Sequence, residues 1–281
     1  MERTGIISAQ SLLEINSHTG IKIYDASWHM PDSGRNGHRE YMEGHIPYAH
    51  FFDIDAISDP ESTLPHTMPQ TAAFEQHMQK IGINNNDHII IYDNSPLRSA
   101  ARAWWMLRYM DHKNVSVLDG GLQAWKAVGG NIETTTPIIK TGDFKARPNV
   151  DLLRLITEML SNLESNVSQV IDARAAARFE GTTPEPRAGL AAGHIPGAIN
   201  VPFTQLYNGN GTLKTRQELI DIFKAAGVDI NASITTSCGS GVTACNLAHA
   251  LYTLGNKNVA VYDGSWSEWG AYKNAPVSKG L

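Results

Sequence analysis

Four sequence blocks occur twice along this 281-residue chain, in the same order, and this repeat constrains the fold more than any other feature. The paired blocks are YDASW (24–28) with IDARA (171–175), EGHIPYAHFFDI (43–54) with AGHIPGAINVPF (192–203), residues 88–110 with 232–254, and VSVLDGGLQAW (115–125) with VAVYDGSWSEW (259–269). Ordered matches of this kind indicate duplication of one structural unit. The chain is therefore predicted to contain two copies of one domain, each of about 130 residues.

Each copy alternates short β-type runs with helical patterns, which predicts an α/β fold with a mainly parallel sheet flanked by helices. In the second copy the β-type runs are VSQVID, GAINVP, ITTSC and VAVYD, and the helical patterns cover 150–163, 215–226 and 243–254. Residues 138–149 carry no clear periodicity and are interpreted as a linker. The predicted domains are thus residues 1–137 and residues 150–281.

Composition excludes several function classes. A net charge of −5 with a pI near 6.1 provides no basic surface for nucleic acid or an anionic membrane. The N-terminal residues lack the apolar core of a signal peptide, and no apolar run of about 18 residues predicts a membrane span. The two cysteines do not form a disulfide framework, so a reducing cytoplasm is the expected location.

Cys238 ends a β-type run and is followed by a small, uncharged loop, Gly239 to Thr243, that leads into a helical pattern. Gly239 and Gly241 allow the positive φ angles with which such a loop turns its N–H groups inward. Inward N–H groups and a helix N-terminus stabilise an anion, here the cysteine thiolate. The pattern predicts a nucleophilic thiol, with a small buried apolar side chain as the alternative.

The copies differ at this position, since the first has Asp93 where the second has the thiol. Cysteine phosphatases need an arginine six residues after the nucleophile, where this chain has Ala244, so phosphatase chemistry is not expected. Cys245 is predicted to lie two helical turns beyond Cys238, on roughly the same helix face. It is expected to be buried, with a resolving-cysteine role as the alternative.

These motifs resemble the rhodanese superfamily, most closely its tandem-domain 3-mercaptopyruvate sulfurtransferases, over nearly the whole chain. The segments that carry the resemblance are CGSGVTA (238–244), RFEGTTPEPRAGLAAGHIPGA (178–198), YDGSWSEW (262–269), HIPYAHFFDIDAISD (45–59) and RAWWMLR (102–108). The resemblance implies two rhodanese-like domains, of which the N-terminal one is inactive and the C-terminal one catalytic. It also implies that the Cys238 thiolate takes sulfur from 3-mercaptopyruvate, releases pyruvate and passes the sulfur to cyanide, a thiol or a thioredoxin-like protein.

The same resemblance implies the site residues. Arg178 and Arg187 match the substrate-binding arginines of the family, and guanidinium groups pair with carboxylates in bidentate geometry. Ser240 is implied as a catalytic hydroxyl, and Gly239, Gly241, Val242 and Thr243 as substrate-binding positions. The corresponding surface, loop and capping roles are the alternatives for these residues.

His45 is implied as a member of a proton relay, although His194 occupies the equivalent position of the other copy, so the shared GHIP motif could serve the scaffold. Asn36 stands where acidic relatives have the aspartate of that relay, with Asp32 nearby but out of register, and Tyr48 stands where the motif has glycine.

Two other functions stay open at this stage. Thiosulfate-preferring relatives carry basic residues at the positions of Gly239 and Ser240, so the uncharged loop favours mercaptopyruvate over thiosulfate:cyanide transfer. A non-catalytic persulfide carrier would need no carboxylate-binding arginines. Neither a metal-ligand spacing nor a nucleotide-binding loop occurs in the sequence, so no cofactor is expected.

Overall fold

Two compact units make up the chain in the computed structural model, which describes residues 4–15 and 20–280. The first unit comprises Met1–Pro60, Met68–Asn149 and Asn208–Leu213, and the second comprises Glu61–Thr67, Val150–Tyr207 and Lys214–Leu281. Residues 138–149 belong to the first unit, where Phe144 is buried and its N–H donates to the Ile83 carbonyl. They pack as part of a unit rather than as a free connection.

A five-stranded parallel sheet forms the centre of each unit. The strands of the first unit are β1 (Ile6–Ile7), β2 (Ile21–Asp25), β3 (His50–Phe51), β4 (His88–Tyr92) and β5 (Val115–Leu118), in the spatial order β1-β5-β4-β2-β3. Those of the second are β6 (Leu153–Arg154), β7 (Gln169–Asp172), β8 (Ile199–Asn200), β9 (Ile234–Ser237) and β10 (Val259–Tyr262), in the order β6-β10-β9-β7-β8. The identical order confirms the predicted α/β architecture of two repeated domains.

Helices cover these sheets, as expected for parallel strands, which need crossover connections. Those of the first unit are α1 (Ala9–Ile15), α2 (Gly37–Glu43), α3 (Ile54–Ile57), α4 (Thr71–Lys80), α5 (Ala100–Tyr109) and α6 (Gly121–Ala127). Those of the second are α7 (Ile156–Ser165), α8 (Ala176–Phe179), α9 (Arg216–Ala225), α10 (Ala244–Leu254) and α11 (Ser265–Trp269). Within the described ranges, none of the helices has the length and apolar character needed to cross a bilayer.

The predicted helices at 215–226 and 243–254 are confirmed as α9 and α10, with Thr215 capping the N-terminus of α9. The prediction of a single helical stretch over 150–163 is wrong at its start. A short 3-10 turn and the two-residue edge strand β6 precede α7, which begins at Ile156. Leu153 and Arg154 pair with β10, and this pairing is set by tertiary context that the local pattern does not contain.

Candidate active site

Cys238 lies directly after the central strand β9, and the loop 238–243 connects it to α10. Thr235 and Thr236 are β-branched and buried, which suits a strand covered on both faces. Gly241 has a φ of 79°, a conformation that favours glycine, whereas Gly239 does not adopt a positive φ, so the prediction holds for one of the two glycines. Cys238 itself is 1% exposed, so its thiol lies within the loop and not on an open surface.

The N-terminal turn of α11 holds the outer side of this loop. Ser265 Oγ accepts the Cys238 N–H at 3.2 Å, and the Trp266 N–H donates to the Cys238 carbonyl at 2.9 Å. Ser267 donates to the Gly239 carbonyl from both its N–H (2.9 Å) and its hydroxyl (2.7 Å). These bonds use the Cys238 N–H and the carbonyls of Cys238 and Gly239. In the described part of the chain, the N–H groups of Ser240, Val242 and Thr243 have no hydrogen-bond acceptor.

The first unit shows what the same loop does with an anion already in place. Asp25 pairs with Tyr92 in one sheet and Asp172 with Ser237 in the other, so Asp93 occupies the position of Cys238. The first-unit loop, 93–99, is one residue longer than the loop 238–243.

Asp93 uses its carboxylate to accept two backbone N–H groups, from Ser95 at 3.0 Å and from Ala100 at the start of α5 at 2.8 Å. Burial raises the pKa of the Asp93 carboxyl, and these two hydrogen bonds oppose that rise. The equivalent N–H groups of the second unit belong to Ser240 and Ala244. The scaffold therefore directs main-chain donors at the side chain that follows the central strand.

Arg178 and Arg187 converge on Gly239. A Cβ atom at Gly239 would lie 3.2 Å from Arg178 Nη2 and 3.8 Å from Arg187 Nη1, so the missing side chain leaves room for both guanidinium groups. Arg178 lies on α8, and Arg187 lies on the irregular segment that follows it. The structure thus brings the two predicted substrate-binding residues to the cysteine loop.

Glu185 and Arg174 are site residues that the sequence interpretation did not include. The Glu185 carboxylate accepts Arg178 Nε at 3.2 Å and Arg174 Nη1 at 2.9 Å, and its side chain is 2% exposed. Arg174 also binds Asp172 and lies over the Trp266 ring. The sequence signal for these two residues is the arginine at the end of β7, since "IDAR" places Arg174 where the first copy has Ser27.

His66 is another residue that sequence reasoning missed. Its Nδ1 atom lies 3.0 Å from Ser240 Oγ, and its ring is buried within the second unit. Its φ of 63° is in the left-handed region, which a non-glycine residue enters at some cost and which is enriched at functional sites. Residues 61–67 are far in sequence from the rest of the second unit, so no local sequence pattern predicts this contact.

His45, by contrast, makes the contacts of a scaffold residue. It is buried in the first unit, its Nδ1 lies 2.7 Å from the Tyr41 carbonyl, and its ring stacks on Tyr41. His194 repeats this arrangement with Phe179 in the second unit. The shared GHIP motif thus makes the same packing and main-chain contact in both copies, which favours a structural role for His45.

Tyr48 and Cys245 follow from the same local geometry. Tyr48 adopts a φ of 65°, close to the 76° of Gly197, so it keeps the turn in which the family motif has glycine. Cys245 is buried, as expected, and its Sγ lies 3.2 Å from the Gly241 carbonyl. The prediction that it shares a helix face with Cys238 is wrong, because residues 238–243 form a loop and α10 begins at Ala244.

The remaining predicted positions surround the loop. Val242 is buried, while Thr243 is half-buried and precedes α10 without a side-chain capping bond. Within residues 4–15 and 20–280, no group of three or more His, Cys, Asp or Glu side chains has the arrangement of a metal site.

Comparison with known proteins agrees with this geometry. The model of the rhodanese-like domain matches the chain twice, at residues 8–128 and 155–272. The chain is 45% identical over 278 residues to the 3-mercaptopyruvate sulfurtransferase of Escherichia coli K12, covering 99% of each protein. It is 41% identical over 253 residues to the thiosulfate sulfurtransferase of Bos taurus, covering 89% of this chain and 85% of that one.

Among solved structures, the crystal structure of SseA from Escherichia coli superposes with a TM-score of 0.85 at 44% identity, covering 94% of this chain and 100% of that one. That structure is described as having the rhodanese fold. With two domain matches, a repeated parallel sheet and a cysteine loop in the second copy, the chain belongs to the family of rhodanese-like domain proteins.

Proposed function

We propose that this protein is a sulfurtransferase that takes the thiol sulfur of 3-mercaptopyruvate onto Cys238, where it becomes the sulfane sulfur of a persulfide. The observation that carries the proposal is the position of the thiol in a loop with unsatisfied N–H groups, beside two arginines at Gly239. The Escherichia coli relative named 3-mercaptopyruvate sulfurtransferase, identical at 45% of positions, supports this choice of donor.

In the first half-reaction the donor carboxylate pairs with Arg178 and Arg187. The Cys238 thiolate attacks the donor sulfur, an S–S bond forms and the C–S bond breaks. The electron pair of the C–S bond passes to the carbon, which gives the enolate of pyruvate and leaves a persulfide on Cys238. The N–H groups of Ser240, Val242 and Thr243 stabilise the charge on sulfur by the electrostatic principle of an oxyanion hole.

The enolate must gain a proton to leave as pyruvate, and the persulfide must lose one. Ser240 and His66 provide a connected hydroxyl and imidazole that can move this proton, because their polar atoms are within hydrogen-bond distance. His66 thus takes the place in the proposal that the sequence suggests for His45.

In the second half-reaction a thiophile attacks the outer sulfur, and the Cys238 thiolate is the leaving group. The proposed acceptors are cyanide, a small thiol or a thioredoxin-like protein. These acceptors stay predictions, and so does a cytoplasmic location. The N–H groups that stabilise the persulfide also stabilise the released thiolate, so the same loop serves both halves.

Thiosulfate is the second candidate donor, and the bovine relative named thiosulfate sulfurtransferase favours it. The loop itself carries no cation at Gly239 or Ser240, and the cationic groups beside Gly239 in the described part of the chain are those of Arg178 and Arg187. A carrier that only holds a persulfide would not need these arginines. The proposal therefore ranks mercaptopyruvate turnover above both alternatives.

Steady-state assays with both donors and cyanide as acceptor test the proposal. We expect kcat/KM for mercaptopyruvate to exceed that for thiosulfate by about ten-fold or more, since a pocket that fits one donor charge rejects a second. The variant Cys238→Ser should lose turnover, while Cys245→Ser, the matched control, should retain it. A larger kcat/KM for thiosulfate would overturn the choice of donor, and absence of turnover with either would favour the carrier.

A further inference from the structure

Glu185 links the two arginines nearest the end of β7. Its Oε1 accepts Arg174 Nη1 at 2.9 Å and Arg178 Nε at 3.2 Å, and its Oε2 accepts Arg178 Nη2. The Glu185 side chain is 2% exposed, whereas the Arg178 side chain is 26% exposed. A buried carboxylate with two cationic partners is held firmly, so it fixes the plane of the Arg178 guanidinium that lies beside Gly239.

The Arg174 side chain is buried and contacts other groups of the protein. Its guanidinium binds both oxygens of Asp172 and the Gly193 carbonyl, and it lies 4.2 Å from the centre of the Trp266 ring. The Arg174 side chain is 1% exposed, so its guanidinium is not open to a ligand, but its charge still contributes to the field in the pocket. Asp172 is 1% exposed and neutralises that charge at short range.

The charges of this cluster do not cancel. Three guanidinium groups, Arg174, Arg178 and Arg187, face two carboxylates, Asp172 and Glu185. In the described part of the chain Arg187 has no ion pair, so the cluster carries one net positive charge, located beside Gly239. One net positive charge matches a donor with one carboxylate and leaves the second charge of a dianion unpaired.

We infer that Glu185 is a positioning residue that sets the charge selectivity of the donor site, in favour of monoanionic over dianionic sulfur donors. The inference rests on the proposed function. The attraction of an ion to the site rises linearly with its charge, whereas the cost of removing it from water rises with the square. With one net positive charge, a monoanion is therefore favoured over a dianion in a pocket that excludes water.

Glu185→Gln tests the inference, because the amide keeps the size of the side chain and removes its charge. The site then carries two net positive charges, and the ratio of kcat/KM for thiosulfate to that for mercaptopyruvate should rise by about ten-fold or more. The rise should come mainly from a lower KM for thiosulfate. Glu180→Gln, which removes a half-buried carboxylate at the end of α8, is the matched control and should leave the ratio unchanged.

Glu185→Asp separates charge from geometry. Aspartate keeps the charge but is one methylene shorter, so it cannot reach both arginines as glutamate does. We expect KM for mercaptopyruvate to rise while the ratio between the donors stays within about three-fold of the wild type. An equal change of the ratio in Glu185→Asp and Glu185→Gln would overturn the assignment of charge selectivity to the carboxylate.

A binding measurement tests the inference without relying on turnover or on the folding of a single variant. Calorimetric titration of sulfate and of acetate into Cys238→Ser, with and without Glu185→Gln, compares a dianion with a monoanion. Because the added positive charge attracts each negative charge of the ligand equally, the rise in sulfate affinity with Glu185→Gln should exceed the rise in acetate affinity by about ten-fold. If Glu185→Gln does not fold, acetate must still bind Cys238→Ser more tightly than sulfate does.

Equal or weaker binding of acetate overturns the inference, as does an unchanged sulfate affinity in Glu185→Gln. These outcomes are distinct from failure of the proposed function. That failure is the absence of pyruvate release by the wild-type protein, whatever anions it binds.

Discussion

Position 238 holds a thiol where the first unit holds the Asp93 carboxylate, and the loop around it explains why either group is tolerated. Both side chains follow a central strand and face N–H groups of a loop and a helix N-terminus. In the first unit the Asp93 carboxyl group uses these donors, and no thiol is present at this position. In the second unit the donors stay available for sulfur.

His66 and His45 give the residue-scale prediction. His66→Asn should lower kcat for mercaptopyruvate by about 10²-fold, the size of a general acid–base contribution, with little change in KM. His45→Asn, the control, should keep kcat per folded molecule, because the His45 ring stacks on Tyr41 and hydrogen-bonds its carbonyl within the first unit. Steady-state kinetics with both variants checks this, and a larger loss of kcat in His45→Asn would restore the role that the sequence suggests for it.

At the scale of elements, α11 acts as the support of the cysteine loop. Ser265 and Gly121 occupy equivalent positions and share a positive φ, 49° and 58°. The second unit thus accepts a strained serine where the first has an unstrained glycine. In this strained conformation the Ser265 hydroxyl accepts the Cys238 N–H and so supports the cysteine loop.

Replacing Ser265 with glycine separates these two effects. The variant loses two hydrogen bonds, from the Cys238 N–H to Ser265 Oγ and from the Ser265 hydroxyl to the Tyr262 carbonyl, and relief of the left-handed serine offsets part of that loss. The free energy of unfolding should therefore fall by less than about 2 kcal/mol. The kcat/KM for mercaptopyruvate should fall by about three-fold or more, because the Cys238 N–H loses its acceptor and the loop loses one contact. Denaturant unfolding and kinetics on one preparation test this, and full activity in Ser265→Gly would contradict the supporting role of α11.

The strands β2 and β7 end in equivalent aspartates with different partners. Arg174 pairs with Asp172, whereas no ion pair of Asp25 occurs among the described residues. Burial raises the pKa of the Asp25 carboxyl to about 6. Because the unfolded pKa is near 3.9, the folded state binds more protons between about pH 4 and pH 6. The stabilising contribution of protonated Asp25 is therefore present at low pH and lost as the pH rises through 6.

Asp25→Asn removes this titration. Relative to the wild type, the variant should gain about 1 to 2 kcal/mol in the free energy of unfolding between about pH 5 and pH 7.5. Urea unfolding of both proteins at the two pH values measures the difference, with the exposed Asp32→Asn as control for loss of a carboxylate. A difference between Asp25→Asn and the wild type that does not vary with pH would contradict a raised pKa.

On the scale of the whole molecule, the repeat made the fold predictable, since two copies of one hydrophobic pattern must form two copies of one sheet. Cys238 and the arginines were predictable because each lies in a local motif. His66 was not, since residues 61–67 follow β3 in the first half of the chain but belong to the second unit. Residues 208–213 follow β8 and belong to the first unit in the same way. Such exchanges depend on tertiary packing, which periodicity does not encode.

The two-residue edge strand β6 shows the same limit at small size. Its partner β10 lies more than a hundred residues away, so the local apolar pattern at 150–163 indicates only the helix that follows. The ion pairs of Glu185 with Arg174 and Arg178 were equally unpredictable, although the three residues are close in sequence. Their formation depends on burial, which the sequence pattern does not show. Charge pairs of this kind are recognised only when the partners are seen together.

Mass spectrometry of the protein after incubation with 3-mercaptopyruvate tests the central claim most directly. We predict that the wild-type protein gains the mass of one sulfur atom, that peptide mapping places it on Cys238, and that a thiol acceptor removes it. Cys245→Ser should gain the same mass, and Cys238→Ser should gain none. An unchanged mass in the wild type, or a sulfur atom mapped to Cys245, would contradict the assignment of Cys238 as the sulfur-accepting nucleophile.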